Sequence, residues 1–191
     1  KLLTTAVALK RLGANYRFKT ALYATLPIVG KILEGDIYIK GFGDPNLVSE
    51  QMWLLANELK NSPLKKVRGN IIADASFFDS SRRVKTWNKK AGAEAYNAPL
   101  GALSFNFNTV AVHVTPGEKK GGRPIVVVDP DIEFIRVDNR ARTDSKPKYG
   151  RLIVNRVDRG DHNVITVSGT MPVNSRRETY YLNITQPTYY A

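Results

Sequence analysis

The chain has 191 residues, 42% of them apolar, which allows one or two domains with a hydrophobic core. Lys and Arg outnumber Asp and Glu by 29 to 17, and the resulting net charge of +12 favours a polyanionic partner: nucleic acid, an anionic membrane surface or a cell-wall polymer. There is no cysteine and only His113 and His162, which excludes a disulfide framework, a thiolate metal site, a cysteine nucleophile and a histidine-rich metal centre.

No apolar run approaches the roughly 20 residues of a membrane-spanning helix. The basic residues are dispersed, the densest groups being Arg82-Arg83, Lys89-Lys90, Lys119-Lys120 and Arg176-Arg177. Dispersed charge reads as a solvated surface rather than a nucleic-acid stripe. No helix-turn-helix, zinc or RNP-type pattern accompanies it, so no nucleic-acid partner is expected, and no cofactor either.

Residues 1–12 are helical in pattern, with Leu2, Leu3, Ala6, Val7, Leu9 and Leu12 at spacings of three and four. Gly13 is a natural stop. The chain begins on Lys1, without a leader's hydrophobic region or cleavage site, and reads as a helix entered part-way in a longer protein. Tyr16–Leu26 alternates and predicts a strand, and residues 28–34 a turn. Gly35-Asp-Ile-Tyr-Ile-Lys40 is a short strand broken by Gly41-Phe-Gly-Asp-Pro-Asn46.

Ser49–Lys60 is a helix with Met52, Leu55 and Leu59 on one face, beside Trp53 and Ala56. Val67–Asp74 is a strand with Ile71-Ile72-Ala73 as its buried centre. Strand, helix and strand make a small α/β unit. Leu103–Thr115 alternates with Leu103, Phe105, Phe107, Thr109, Ala111 and His113 on one side. Short strands follow at 125–128, 132–137, 152–157, 164–167 and 180–184, separated by Gly, Pro, Asp and Asn. The expected fold class is therefore α+β: the small α/β unit plus a β-rich module of short antiparallel strands, the module lying between about residues 115 and 172.

Residues 85–108 look least like scaffold. They combine Trp87, Tyr96, a Gly/Ala/Pro-rich loop and Ser104-Phe105-Asn106. Ser-x-Asn occurs in serine penicillin-recognising enzymes. Here it sits in an alternating pattern that gives Ser104 and Asn106 the polar face, with Phe105 and Phe107 toward the core, so a strand role is favoured. Asp36, Asp44, Asp74 and Asp79 follow strand ends and read as turn residues before acid-base groups.

Gly41-x-Gly43 is too short for a phosphate loop. Asn183-Ile-Thr185 fits a glycosylation acceptor and a strand equally. Trp87 and Tyr96, flanking Gly92 and Pro99, either plug a seam between modules or line a groove for an aliphatic substrate stem.

Five blocks in order resemble the S13 D-alanyl-D-alanine carboxypeptidases, the class C low-molecular-mass penicillin-binding proteins. They are Lys1-Leu-Leu-Thr-Thr-Ala-Val-Ala-Leu9, Gly13-Ala-Asn-Tyr-Arg-Phe-Lys-Thr20, Gly35-Asp-Ile-Tyr-Ile-Lys-Gly-Phe-Gly-Asp-Pro-Asn-Leu47, Gly69-Asn-Ile-Ile-Ala-Asp-Ala-Ser-Phe-Phe-Asp79 and Asn97-Ala-Pro-Leu-Gly-Ala-Leu103. The resemblance implies that Lys1 is the Lys of the catalytic Ser-x-x-Lys. It places Ser104-Phe-Asn106 inside an insertion, away from the family's active-site triplet.

It divides the chain into 1–26, a remnant of the catalytic domain; 27–115 with 173–191, the family's domain II; and 116–172, its domain III. It implies a cell-envelope enzyme, periplasmic or extracellular, that acts on peptidoglycan stem peptides through a serine acyl-enzyme and is trapped by β-lactams. The inserted domains would be inactive alone. Trp87 and Tyr96 match aromatics lining the pocket for the stem peptide's third residue. Lys90 stands where relatives that bind a diaminopimelate side chain carry an acid, so Glu94 would have to substitute, or a carboxylate or amidated end be preferred. The other reading is a non-catalytic basic module that binds anionic cell-wall polymer through the +12 charge.

Overall fold

A computed structural model of the chain describes residues 1–84, 86–87, 92–145 and 151–191. Helix α1 spans Leu2–Leu12 and ends at Gly13, whose φ of 83° turns the chain while its N–H bonds to Leu9 O. None of its residues is buried; Leu2, Leu3, Val7, Leu9 and Leu12 all face outward.

Strand β1 is Thr20–Ala24, shorter than the expected 16–26. It is as long as its partner allows: β3 (Ile37–Gly41) pairs with it antiparallel from Thr20↔Gly41 to Ala24↔Ile37. Tyr16 and Phe18 instead meet edge to face at 5.2 Å ahead of the strand. The expected turn at 28–34 also holds a two-residue strand, β2 (Ile32–Leu33). Gly30 and Lys31, both at positive φ, reverse the chain so that Val29 and Ile32 exchange hydrogen bonds.

Helix α2 (Ser49–Asn61) lies where the sequence places it. It is the crossover that lets β5 (Ile71–Asp74) run parallel to β3 in the sheet order β1-β3-β5. Its Met52 packs on the large core, and Leu59 joins Leu33, Ile37 and Leu64 in a smaller one. The expected strand 67–74 is divided. β4 (Lys66–Val67) pairs parallel with β2, and β5 begins only at Ile71. A side chain at Gly69 would stand 2.4 Å from Gly35 O, so the chain bends there against the Gly35 turn. Ile71 is not a buried centre. It is 72% exposed, because Ile71 and Ala73 lie on the uncovered face of β5 while Ile72 and Asp74 take the half-buried one.

The second half contains β6 (Thr109–Thr115), β7 (Ile125–Asp129), β8 (Ile135–Asn139), β9 (Arg142–Asp144), β10 (Ile153–Asp158), β11 (Asn163–Ser168), β12 (Thr170–Pro172), β13 (Glu178–Asn183) and α3 (Pro187–Tyr190). β6 is the centre of an antiparallel sheet, β13-β6-β7. β11 pairs antiparallel with β10 and parallel with β8, and β12 pairs parallel with β9. The architecture is mixed α+β, few helices with several small sheets, which is the expected class, although the parallel β8–β11 and β9–β12 pairs depart from the expected antiparallel module. Val110, Val112 and Val114 are fully buried together with Ile165, Val167 and Ile184. At about 1.5–3 kcal/mol each, such side chains dominate the stability of this region.

The 103–115 segment corrects the sequence reading. Asn106, Phe107 and Asn108 lie at φ 45°, 57° and 53°, so no strand passes through them. β6 begins after this left-handed turn with its phase reset. The buried side chains are Val110, Val112 and Val114, while Thr109, Ala111 and His113 are half-buried. Phe105 is in the core, but Phe107 is 62% exposed.

Candidate active-site wall

Ser104 and Asn106 serve the left-handed turn rather than catalysis. Ser104 Oγ donates to Gly101 O at 2.9 Å and accepts from Asn108 Nδ2 at 3.0 Å. Asn108, 3% exposed, also donates to Pro99 O at 2.8 Å. Asn106 donates its backbone N–H to Leu47 O, and its Oδ1 accepts the N–H of Ser49 at 3.0 Å. Three consecutive non-glycine residues in this region are costly, and these hydrogen bonds hold them there.

The other sequence candidates resolve as structural groups. Asp44, Asp74 and Asp79 each accept the backbone N–H two residues on, at 2.9, 2.8 and 2.8 Å, the turn chemistry expected of them. Asp36 Oδ1 accepts from Asn70 N at 2.7 Å. Asp74 also holds Lys40 Nζ at 2.9 Å, and Lys40 in turn donates to Ser76 Oγ at 2.9 Å. Hydrogen bonds from Ser76 and then Lys40 pull the Asp74 carboxyl down to about 2.

His113 meets Thr179 across the β6–β13 pair, and His162 meets the adjacent Asp161. No group of His, Asp and Glu able to hold a metal occurs among the described residues. Gly41 and Gly43 pack rather than bind phosphate. A side chain at Gly41 would stand 2.2 Å from Ala102 O, and Gly43 N donates to that same carbonyl at 2.8 Å. The string Ser62-Pro-Leu-Lys65, which also has the Ser-x-x-Lys spacing, closes α2. Ser62 Oγ donates to Leu59 O at 2.6 Å, and Lys65 Nζ to the carbonyls of Lys60 and Ser62.

Trp87 and Tyr96 remain. Trp87 closes a turn with its N–H on Val84 O at 2.9 Å and is 37% exposed. Tyr96, 83% exposed, projects from a single 3-10 turn, Ala95–Asn97. Arg83 ties the two together: its guanidinium lies 5.8 Å from the Trp87 ring centre, and its Nη1 donates to Asn97 O at 3.3 Å. The loop is fixed from behind by Asn183, 1% exposed, whose Nδ2 donates to Gly92 O at 3.0 Å and Glu94 O at 2.9 Å. Asn183 is thus a buried bracket rather than a glycosylation acceptor.

Arg156 donates to the Asn183 backbone carbonyl at 3.2 Å and to its Oδ1 at 2.5 Å. Glu94 is exposed and accepts from Asn97 Nδ2 at 3.0 Å. Lys90 lies outside the described residues. Lys1 is exposed at the start of α1.

Beside this wall is an open cleft of about 420 Å³, lined by Phe77, Phe78, Val84 and Leu100 with Asp79 and Arg83 among the polar residues. Phe77 packs between Phe42 and Phe78, its ring tilted to both at 5.2 and 5.6 Å. Arg83, the hub of the wall, entered the sequence reading only as half of the basic pair Arg82-Arg83, with no site role.

The geometry is that of a preformed aromatic and apolar surface held by buried polar brackets, suited to binding rather than bond-making. The sequence matches the D-Ala-D-Ala carboxypeptidase 3 (S13) family over residues 1–191. It is 32% identical over 194 residues to the D-alanyl-D-alanine carboxypeptidase of an Actinomadura species, covering 98% of this chain and 35% of that protein. It is 30% identical over 118 residues to the D-alanyl-D-alanine carboxypeptidase DacB of Haemophilus influenzae, covering 61% of this chain and 25% of that one.

The fold superposes on crystal structures of penicillin-binding protein 4 (dacB) from Haemophilus influenzae. One gives a TM-score of 0.77 at 22% identity, covering 97% of this chain and 41% of the other. A second, complexed with a β-lactam, gives 0.67 at 20% identity. The chain therefore spans about a third of the length of these relatives. Matched from its first residue to its last, the chain belongs to the D-Ala-D-Ala carboxypeptidase 3 (S13) family.

Proposed function

We propose that the chain is part of a serine-type D-alanyl-D-alanine carboxypeptidase and endopeptidase that acts on peptidoglycan stem peptides in the cell envelope. Within it, these 191 residues supply non-catalytic inserted domains and one wall of the substrate cleft. The observation that carries this reading is the Trp87–Arg83–Asn97 connection, which holds two exposed aromatics on one bracketed loop in a chain that matches the family throughout.

In this reading Lys1 takes the proton of a serine supplied by the rest of the protein. That serine attacks the carbonyl before the terminal D-Ala, D-Ala leaves, and water hydrolyses the acyl-enzyme. Residues 1–26 belong with the catalytic domain, 27–115 and 173–191 form one inserted domain, and 116–172 the other. The wholly unburied apolar face of α1 supports the first assignment, since a covering partner would bury it. Trp87, Lys90 and Tyr96 are assigned to recognition of the stem peptide's third residue, Trp87 and Tyr96 as exposed aromatics.

The 191-residue chain is expected to show no covalent labelling by a fluorescent penicillin, while the full-length protein labels. Labelling of the chain itself would contradict the assignment of these residues as non-catalytic.

A further inference from the structure

The β1-β3-β5 sheet has two ends, and the proposed activity uses only one of them. β1 runs from Thr20, opposite Gly41 of β3, to Ala24, opposite Ile37. The Gly41 end adjoins the aromatic cleft, since a side chain at Gly43 would stand 2.5 Å from the Phe78 ring. The chain coming from α1 enters the sheet at this end too. The loop between β1 and β3 leaves from the other end, four residue steps or about 13 Å away.

This loop is tied at its base and bare at its tip. Thr25 N donates to Asp36 O at 3.2 Å, and Asp36 N donates to Thr25 Oγ1 at 2.9 Å. Val29 and Ile32 exchange backbone hydrogen bonds across Gly30-Lys31. A side chain at Gly30 would meet nothing within 4 Å, so the tip stands clear of the fold. What it presents is apolar: Leu26 and Ile28 are about half exposed, and Val29 is 73% exposed. Three apolar side chains held in water by a fixed loop favour a partner that removes them from it.

Lysines gather at the same end. The Lys31 carbonyl accepts the N–H groups of both Lys65 and Lys66, at 2.8 and 3.3 Å. Lys65 Nζ reaches Lys60 O at the end of α2, at 3.2 Å. All four lysines are exposed, and none pairs with a carboxylate among the described residues. Of the acids at this end, Glu34 is taken by Arg68 and Asp36 by Asn70, while Glu58 is exposed. A shallow cleft of about 240 Å³ separates α2 from β4, lined by Leu59, Leu64 and Val67 together with Lys60, Lys65 and Lys66.

A soluble polyanion would use the lysines and leave Leu26, Ile28 and Val29 in water. An anionic bilayer meets both, with phosphate head groups at the lysines and acyl chains at the tip. We propose that the Leu26–Lys31 loop, with Lys60, Lys65 and Lys66, is a docking surface for an anionic phospholipid membrane, Ile28 and Val29 entering the head-group boundary. The surface lies at the opposite end of the sheet from the cleft, so docking leaves the cleft open.

The test is co-sedimentation of the full-length protein with lipid vesicles, because in the 191-residue chain the bare face of α1 would add its own lipid contact. Phosphatidylcholine vesicles with about 30% phosphatidylglycerol should bind at least tenfold more tightly than phosphatidylcholine alone, and added salt should weaken the binding. Lys60→Gln combined with Lys66→Gln should weaken it roughly 25-fold, at about fivefold for each lysine. Val29→Ser should weaken it at least fivefold and Val29→Trp should strengthen it, a gain that no loss of folding can imitate. No pelleting with the phosphatidylglycerol vesicles, equal binding to both kinds, or no effect of the lysine pair would overturn the proposal. So would inorganic polyphosphate binding as tightly as the vesicles with neither Val29 variant having an effect, which would assign the lysines to a soluble anionic polymer.

Discussion

At the scale of single residues, the working parts of this loop are asparagines and arginines rather than the serine that first draws attention. Ser104 and Asn106 have the spacing of an active-site triplet, yet Ser104 hydrogen-bonds to Gly101 O beside a left-handed turn and Asn106 ties that turn to Ser49 of α2. That turn was not legible, because three successive non-glycine residues at positive φ leave no compositional mark. The same gap explains Phe107, expected inside and found outside.

Asn108 is the residue on which the turn depends most. It is buried and donates to Pro99 O and Ser104 Oγ. Asn108→Ala is expected to destabilise the chain by about 2–3 kcal/mol, from lost hydrogen bonds and an alanine forced to positive φ. Urea unfolding at fixed pH measures this, and a loss below about 0.5 kcal/mol would mean that the turn is held elsewhere.

At the scale of elements, the periodic segments were legible and the short ones were not. α1, α2 and β3 follow directly from helical and alternating patterns. β2 and β4, two residues each, pair only because Gly30, Lys31 and Gly69 bend the chain, which no periodicity shows. Ile71 misled because a run of apolar residues reads as a strand buried on both faces, whereas β5 has one uncovered face that takes Ile71 and Ala73.

That edge is fastened to β3 by Lys40, Asp74 and Ser76. The Asp74 carboxyl is held near 2 against an ordinary value of 3.8. A depressed carboxyl adds stability that is present above its unfolded pKa and lost as pH falls through its folded one. The excess stability of the native chain over Asp74→Asn should therefore be constant above about pH 5 and shrink between pH 4 and 2. Parallel pH titrations of the two unfolding curves read it, and a constant difference down to pH 2 would contradict the ion pair's role.

At the scale of the whole molecule, the first half packs on both a large and a small core while the later strands fill the large one, and the described ends of the Trp87–Tyr96 loop are tied to both halves of the chain. Asn183 of β13 brackets it from behind, while Arg83, in the stretch that follows β5, holds it from the front. From sequence the loop's two aromatics were visible, and so was the choice between plug and groove. The exposure of Tyr96, with a cleft open beside Trp87, favours the groove. The bracket was invisible, because its partners lie 91 positions apart in the chain.

The most direct test of the loop as substrate wall is Trp87→Ala in the full-length protein, assayed on a stem peptide ending in D-Ala-D-Ala and, separately, for acylation by benzylpenicillin. Losing one aromatic wall, worth about 1.5–3 kcal/mol, should lower kcat/KM for the peptide roughly 10- to 100-fold. Acylation by penicillin, which presents no third-residue side chain, should change less than threefold. Unchanged peptide kinetics would contradict the account and leave the loop as packing between the two halves of the fold.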